Sequence, residues 1–332
     1  METMTRSKLV TVGLALGIAV WGGIATAKAQ ERPESYPSRP IRVFVGFGPG
    51  AVADVLARVL AGRMSQALGQ QVVIENRPGA GSNLAAEHVA RSPKDGYTLL
   101  MATVANSINP AINTLSFDFG KDLAPITLVA NAPQILVAHP AFPVNNIQEL
   151  IALAKATPHA PPQYASSGAG TMSHLSGVLL SRAAGITLQQ VPYPGSAQSM
   201  NDVLAGRVPM MFGPAATVWS NVQAGKLKAL AVTQPTRAAI APDVPTMIES
   251  GVPGYSAGIW MGLLAPGGTP PAIVEKLSLA VNEALKSKEA LAMMQAQGVD
   301  PIGGTPAEFA RFVDDELKKW ARVVTESGFK KP

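Results

Sequence analysis

Three short stretches of this chain place glycine and small polar residues directly ahead of an apolar segment with helical spacing. In the first, Gly46-Phe47-Gly48-Pro49-Gly50-Ala51, the glycines let backbone N–H groups approach a ligand, and the helix start behind them favours negative charge. The second, Glu75 to Asn83, offers Ser82 or Asn83 as the cap of the next helix. The third, Ala165 to Leu175, adds the hydroxyls of Ser166, Ser167 and Thr171 to flexible backbone at a helix start, with His174 behind them as a further donor. Three anion-friendly helix starts, divided between two halves of a chain, are what a carboxylate clamp needs.

Other chemistries fit these residues less well. Gly46-x-Gly48-x-x-Ala51 matches a dinucleotide fingerprint, and Glu75 ends the next strand where a ribose-binding acid would stand. Pro49, however, stiffens the turn that would have to wrap a pyrophosphate. A bare strand-to-helix turn without a ligand is the plainer alternative. Ser173 and His174 are neighbours on a helix, so they do not face each other as nucleophile and base. There is no G-x-S-x-G elbow and no cysteine, and His88, His139, His159 and His174 lack metal-ligand spacing. No catalytic residue, metal or cofactor is expected.

The elements that must position these loops alternate. Ile41 to Val45 reads as a strand, Val52 to Leu68 as a helix and Gln71 to Glu75 as a strand, a βαβ opening. A helix over Leu84 to Ala90 and a buried strand over Tyr97 to Ala102 follow. Ala124 to Ala130 and Pro133 to His139 are two strand-like runs with too little chain between them for a helix, which reads as the passage into a second lobe. That lobe continues with helices at Ile147 to Ala156, Met172 to Ala184 and Ala197 to Ala205, and with strands at Gln163 to Ser166, Leu188 to Val191 and Val208 to Phe212. Lys228 to Thr233 leads into a proline-bearing return through Pro235, Pro242 and Pro245. Three helices then begin near Pro271, Ser287 and Pro306, the last opened by Thr305-Pro306-Ala307-Glu308. Phe309, Phe312, Val313, Leu317, Trp320 and Val324 form one stripe, read as core.

The first thirty residues read as a secretory leader: Arg6 and Lys8, an apolar stretch from Leu9 to Ile24, then small residues offering cleavage after Ala27 or Ala29. An exported, periplasmic chain is expected, without a spanning helix. With Arg6, Lys8, Lys28 and Glu2 removed, 24 basic and 21 acidic residues remain, a net charge of +3. No basic run marks nucleic acid as a partner. With no cysteine, the chain must hold together by core burial alone.

In its loops the chain resembles the Bug or TctC-type receptors of tripartite tricarboxylate transporters, over Tyr36 to Arg58, Val72 to Leu100, Tyr164 to Gly177 and Val191 to Val208, and again at Ala241-Pro-Asp-Val-Pro-Thr. The resemblance implies an α/β, two-lobed periplasmic binding protein fold of type II-like form, with the ligand cleft between the lobes. Residues 1–29 would be the leader, 30–124 with 246–332 the first lobe, and 125–245 the second, with hinges near Asp122 to Ile126 and Thr233 to Pro245. It also implies a monomeric receptor for a small carboxylate, delivering it to integral-membrane transporter subunits. The ligand residues carried over are Phe47, Gly48, Gly50 and Ala51, then Ser166, Ser167, Gly168 and Thr171, with His174 close behind. Asp202 stands at a position associated with acidic amino-acid ligands. The chain departs from the family pattern at Ala51 and Ser82, where glycine is usual. A secreted hydrolase of carboxylic esters or amides and a carboxylate sensor for a signalling partner are the alternative functions.

Overall fold

The computed structural model describes residues 35–168, 171–193 and 195–326; the expected leader lies outside them. The first part alternates as its apolar pattern predicts: β1 (Ile41–Val45), α1 (Val52–Leu68), β2 (Val72–Asn76), α2 (Asn83–Ala90) and β3 (Thr98–Thr103). β1 pairs in parallel with both β2 and β3. The next helix, α3 (Val104–Ile112), gives no periodic signal. Its Asn106, Asn109 and Pro110 are poor helix formers, and a capping box in which Thr103 and Asn106 satisfy each other's end groups holds its start.

β4 (Leu123–Ala132) and β5 (Gln134–Ala138) follow, with only Pro133 between them. β4 belongs to one sheet and β5 to another, so the run expected to carry the passage is a paired strand of the first sheet, and the chain changes sheets at Pro133. Then come α4 (Ile147–Ala156), β6 (Gln163–Ser166), α5 (Met172–Ala183), β7 (Gln189–Pro192), α6 (Ser196–Leu204), β8 (Met210–Pro214), α7 (Ala215–Gln223) and β9 (Lys228–Val232). The stretch expected to return to the first lobe stays on the second sheet: Val232 N–H donates to Pro245 O, Met247 N–H to Val232 O, and Tyr255 Oη to Ser176 O. The chain regains the first sheet at β10 (Ile259–Pro266), a strand absent from the sequence-based expectation, and ends with α8 (Pro271–Leu285), α9 (Lys288–Ala296), β11 (Asp300–Pro301) and α10 (Pro306–Glu326).

The two sheets share one plan. The first is ordered β11-β4-β10-β3-β1-β2 and the second β7-β6-β8-β5-β9. In each, one interior strand runs antiparallel to both of its neighbours, β10 in the first and β5 in the second, and the short edge strand β11 is also antiparallel to β4. Each inserted strand is the first one after the chain crosses between sheets. The two crossings are tied together through Thr233, which follows β9: Thr233 N–H donates to Gln134 O at 2.9 Å, Ala257 N–H donates to Thr233 O at 2.8 Å, and the Thr233 hydroxyl lies within reach of both Gln134 O and Ala257 O.

One apolar cluster covers the outer face of the first sheet with α1, α8 and α9, and another covers a face of the second sheet with α6 and α7. The largest runs continuously beneath both, through α2, α3, α4, α5 and α10. The α10 stripe is core as expected: Phe309, Val313, Trp320 and Val324 are buried, with Phe312 and Leu317 packed beside them. At its centre the buried Glu316 carboxylate accepts both indole N–H groups, from Trp260 at 3.0 Å and Trp320 at 2.8 Å, and pairs with Lys319, which also donates to Ser256 O.

Replacing Glu316 by Ala strands those two indole donors, each at a cost of about 1–3 kcal/mol. The expected loss of stability is about 2–6 kcal/mol, read from urea unfolding.

Candidate functional site

Because the strands of each sheet are mostly parallel, the loops after them gather at one end, where ligands bind in open α/β sheets. In the second sheet these are the loop from β6 to α5, the loop from β7 to α6, and Pro214 at the end of β8. Gln134 lies directly beside Pro214 in the β5–β8 register, and Ile259 opens β10 from the other sheet.

These elements enclose a cavity of about 180 Å³ lined by Gln134, Ser167, Ser173, Ser196, Ser199, Met172, Met211, Phe212, Pro214 and Ile259. Among the described residues, no charged side chain lines it. The starts of α5 and α6 bring the free N–H groups and positive dipole ends of two helices, and neither helix start is capped by a side chain. A hydroxyl cluster organises one wall: Ser173 Oγ lies 3.0 Å from Ser167 Oγ and 3.1 Å from Thr171 Oγ1, and accepts Ser167 N–H at 3.0 Å. The buried Ser166 hydroxyl accepts Gln190 Nε2 at 2.7 Å.

On the first sheet, the loop after β1 is organised by an internal anion. Asp54, buried in the first turn of α1, accepts Gly50 N–H at 2.9 Å, Asn76 Nδ2 at 2.8 Å and Arg58 Nε at 3.0 Å. Burial pushes its carboxyl up, but the hydrogen bonds from Arg58, Gly50 and Asn76 outweigh that and hold it below its ordinary value of 3.8. The second loop leans directly on the first. A Cβ on Gly46 would stand 1.9 Å from Ser82 Oγ, so only glycine fits there. Ser82 itself takes a left-handed backbone, φ 75°, with its hydroxyl buried and without a partner among the described residues. Asn109 Nδ2 reaches both Gly81 O and Asn83 Oδ1, tying the loop down to α3.

Of the residues singled out from sequence, Ser167 lines the cavity, and Ser166 and Thr171 frame it through the loop. Gly168, with φ 125°, accepts the Thr171 hydroxyl at 2.7 Å. Phe47, Gly48, Gly50, Ala51, Ser82 and Asn83 form the loops of the first sheet and are not in its lining. His174 lies outside the lining as well, and burial pushes its imidazole below the ordinary value, so it is neutral at neutral pH. The Asp202 carboxylate is taken by the Tyr193 hydroxyl at 2.7 Å and by Arg207 at 2.6 Å. Glu75, the acid of the dinucleotide alternative, is paired with Arg42 on the neighbouring strand. Sequence reasoning missed Gln134, Met172, Ser173, Ser196, Ser199, Met211, Phe212 and Ile259. The one usable signal was Tyr193-Pro-Gly-Ser196, a loop with a hydroxyl at a helix start.

The tripartite tricarboxylate transporter family receptor (TctC) matches residues 56–329 of this chain. Protein BugT of Bordetella pertussis is 37% identical over 98% of this chain and 99% of its own. Among solved structures, an R. palustris protein with adipate is 34% identical, covering 88% of this chain and 98% of its own with a TM-score of 0.68. A TctC solute-binding protein from Polaromonas with no ligand is only 25% identical, covering 88% and 99%, yet superposes with a TM-score of 0.82.

Two outcomes follow from the loops of the first sheet. Ser82→Gly relieves both a strained backbone and an unpaired hydroxyl, and should raise stability by about 1–2 kcal/mol; a lower urea midpoint would mean that the hydroxyl is paired in solution. Asp54 has its lower value in the folded state, so it stabilises above pH 3.8 and loses that contribution as pH falls further. Asp54→Asn should therefore be less stable at neutral pH, and its stability should decline less steeply than the wild type's between about pH 5 and pH 3.

Proposed function

This chain belongs to the tripartite tricarboxylate transporter receptor family, whose members are periplasmic solute-binding proteins, and from that premise we propose that it captures a small carboxylate in the periplasm as a monomer and delivers it to integral-membrane transporter subunits. The family is one of receptors that do no chemistry on their solute, which removes the hydrolase alternative.

The cavity at two helix starts carries this reading: among the described residues, hydroxyl and amide groups line it and charged side chains do not. Each hydrogen bond to a carboxylate contributes about 1.5–3 kcal/mol, so a few of them with apolar closure reach the roughly 8 kcal/mol of a micromolar complex. Among the described lining residues an ammonium group would find no carboxylate, and Asp202 is engaged by Tyr193 and Arg207. The preferred solutes are therefore acids without an amino group.

The first lobe comprises residues 35–132 with 259–326, the second residues 134–257, and the hinge is the bonded pair of crossings between them. Phe47 to Ala51, Ser82 and Asn83 would meet the solute only when the lobes close over Ser166 to Thr171. The structural neighbours support an open state here. Similarity in shape follows the ligand-free protein, at 0.82, over a more closely related adipate complex, at 0.68.

Isothermal titration with malate, adipate, benzoate, aspartate and glutamate should show saturable binding of at least one of the first three and none of the last two. Ser167→Ala should weaken that binding several-fold without loss of fold. Small-angle scattering should show a smaller radius of gyration in the complex. Turnover of a carboxylic ester without saturable binding would overturn the receptor, an unchanged radius would overturn closure, and loss of uptake in a deletion strain separates transport from sensing.

A further inference from the structure

Gln134 stands where the cavity and the hinge meet. It opens β5, is 3% exposed, and lines the cavity beside Pro214. Its backbone carbonyl accepts the N–H of Thr233, whose own carbonyl accepts Ala257 N–H at the other crossing. Its side-chain Oε1 accepts the Ser176 hydroxyl at 3.1 Å, and Ser176 is itself buried on α5, with its own carbonyl accepting Tyr255 Oη at 3.0 Å. The amide is thus clamped in one orientation. With Oε1 held at the α5 side, Nε2 is the end left over, and it has no acceptor among the described residues. Gln134 lines the cavity, so an acceptor carried by a solute there can take that N–H₂ group.

We propose that Gln134 Nε2 donates to a carboxylate oxygen of the bound solute, and that this contact, made by a residue of the hinge itself, links occupancy of the cavity to lobe closure. The inference rests on the carboxylate reading above. A solute held here bears on β5 at the point where Thr233 ties the two crossings together, so the same hydrogen bond senses the ligand and the angle between the lobes. The neighbouring donors Ser167 and Ser173 lie away from the crossing at Pro133 and lack this connection.

The test uses the full mature chain with malate, adipate and benzoate as probes, measured by isothermal titration and small-angle scattering. Gln134→Glu is nearly isosteric, keeps an acceptor for Ser176 and replaces the donor by a carboxylate. At pH 7 it should weaken binding of the acid that the wild type prefers by at least tenfold, and affinity should recover as pH falls and the introduced carboxylate becomes protonated. Gln134→Leu should weaken binding at all pH values and reduce the compaction seen at saturating solute. Urea midpoints of both variants separate these effects from loss of fold, and the pH-dependent recovery is a signature that a purely structural role would not produce. Wild-type binding with unchanged affinity in both variants overturns the inference alone. Failure of the wild type to bind any of the three acids overturns the carboxylate reading and the inference with it.

Discussion

Everything in this molecule turns on hydrogen bonds between two pieces of chain running side by side. Pro133 carries the chain out of the first sheet, and Ala257 to Ile259 bring it back. Thr233 lies between them, donating its N–H to Gln134 O and accepting Ala257 N–H. A single crossing would leave the lobes free to twist and slide. For the closure proposed above, two crossings tied through Thr233 favour one motion, a rotation about the line that joins them. The antiparallel strands β5 and β10 both start at this line, so each sheet is anchored to it through its interior and not through a loose edge. A second tie lies farther out, where Asp300 on β11 accepts Gln234 Nε2 and Ala239 N–H from the return segment.

The electrostatics of the two faces differ in a way that suits such a motion. On the first lobe, the positive end of α1 is partly spent on Asp54, which holds the glycine loop in shape. On the second, the starts of α5 and α6 open onto the cavity without a capping side chain. A receptor must release what it binds. Neutral donors and helix ends attract an anion with only partial charges, whereas a buried lysine or arginine would demand full compensation when the site is empty. The apolar cluster continuous beneath both sheets supplies the rigidity that this arrangement needs.

Much of the fold is legible in the sequence because parallel, doubly covered strands are uniformly apolar and their helices keep a 3.6-residue stripe. Elsewhere the physical signal is weak or of the wrong kind. α3 exists by virtue of Thr103 and Asn106 capping and tertiary cover, against the propensities of its own residues. β10 follows a long segment rich in proline and glycine, and its place between β3 and β4 depends on partners more than a hundred residues away. For the same reason sequence alone spreads the passage over both runs, Ala124 to Ala130 and Pro133 to His139. Two apolar strands in succession look like a hairpin, and only pairing reveals that they belong to different sheets. The serine loop is legible as hydroxyls before a helix. Gln134 is not, because a glutamine at the head of an apolar strand becomes a cavity wall only through its register with Pro214.

The inserted strand β10 also sets an order of assembly. The second sheet is complete within one continuous stretch of chain, from Gln134 to Val232. The first sheet, although it begins earlier, lacks its middle strand until Ile259 to Pro266 has been made. A chain emerging from its N-terminus therefore presents β3 and β4 with bare, unpaired edges while the later-made lobe is already able to close its own ladder. Exposed strand edges of this kind recruit other chains. The first-made half is thus the last to be finished, and during that interval the protein has the most to gain from a chaperone that keeps those edges covered.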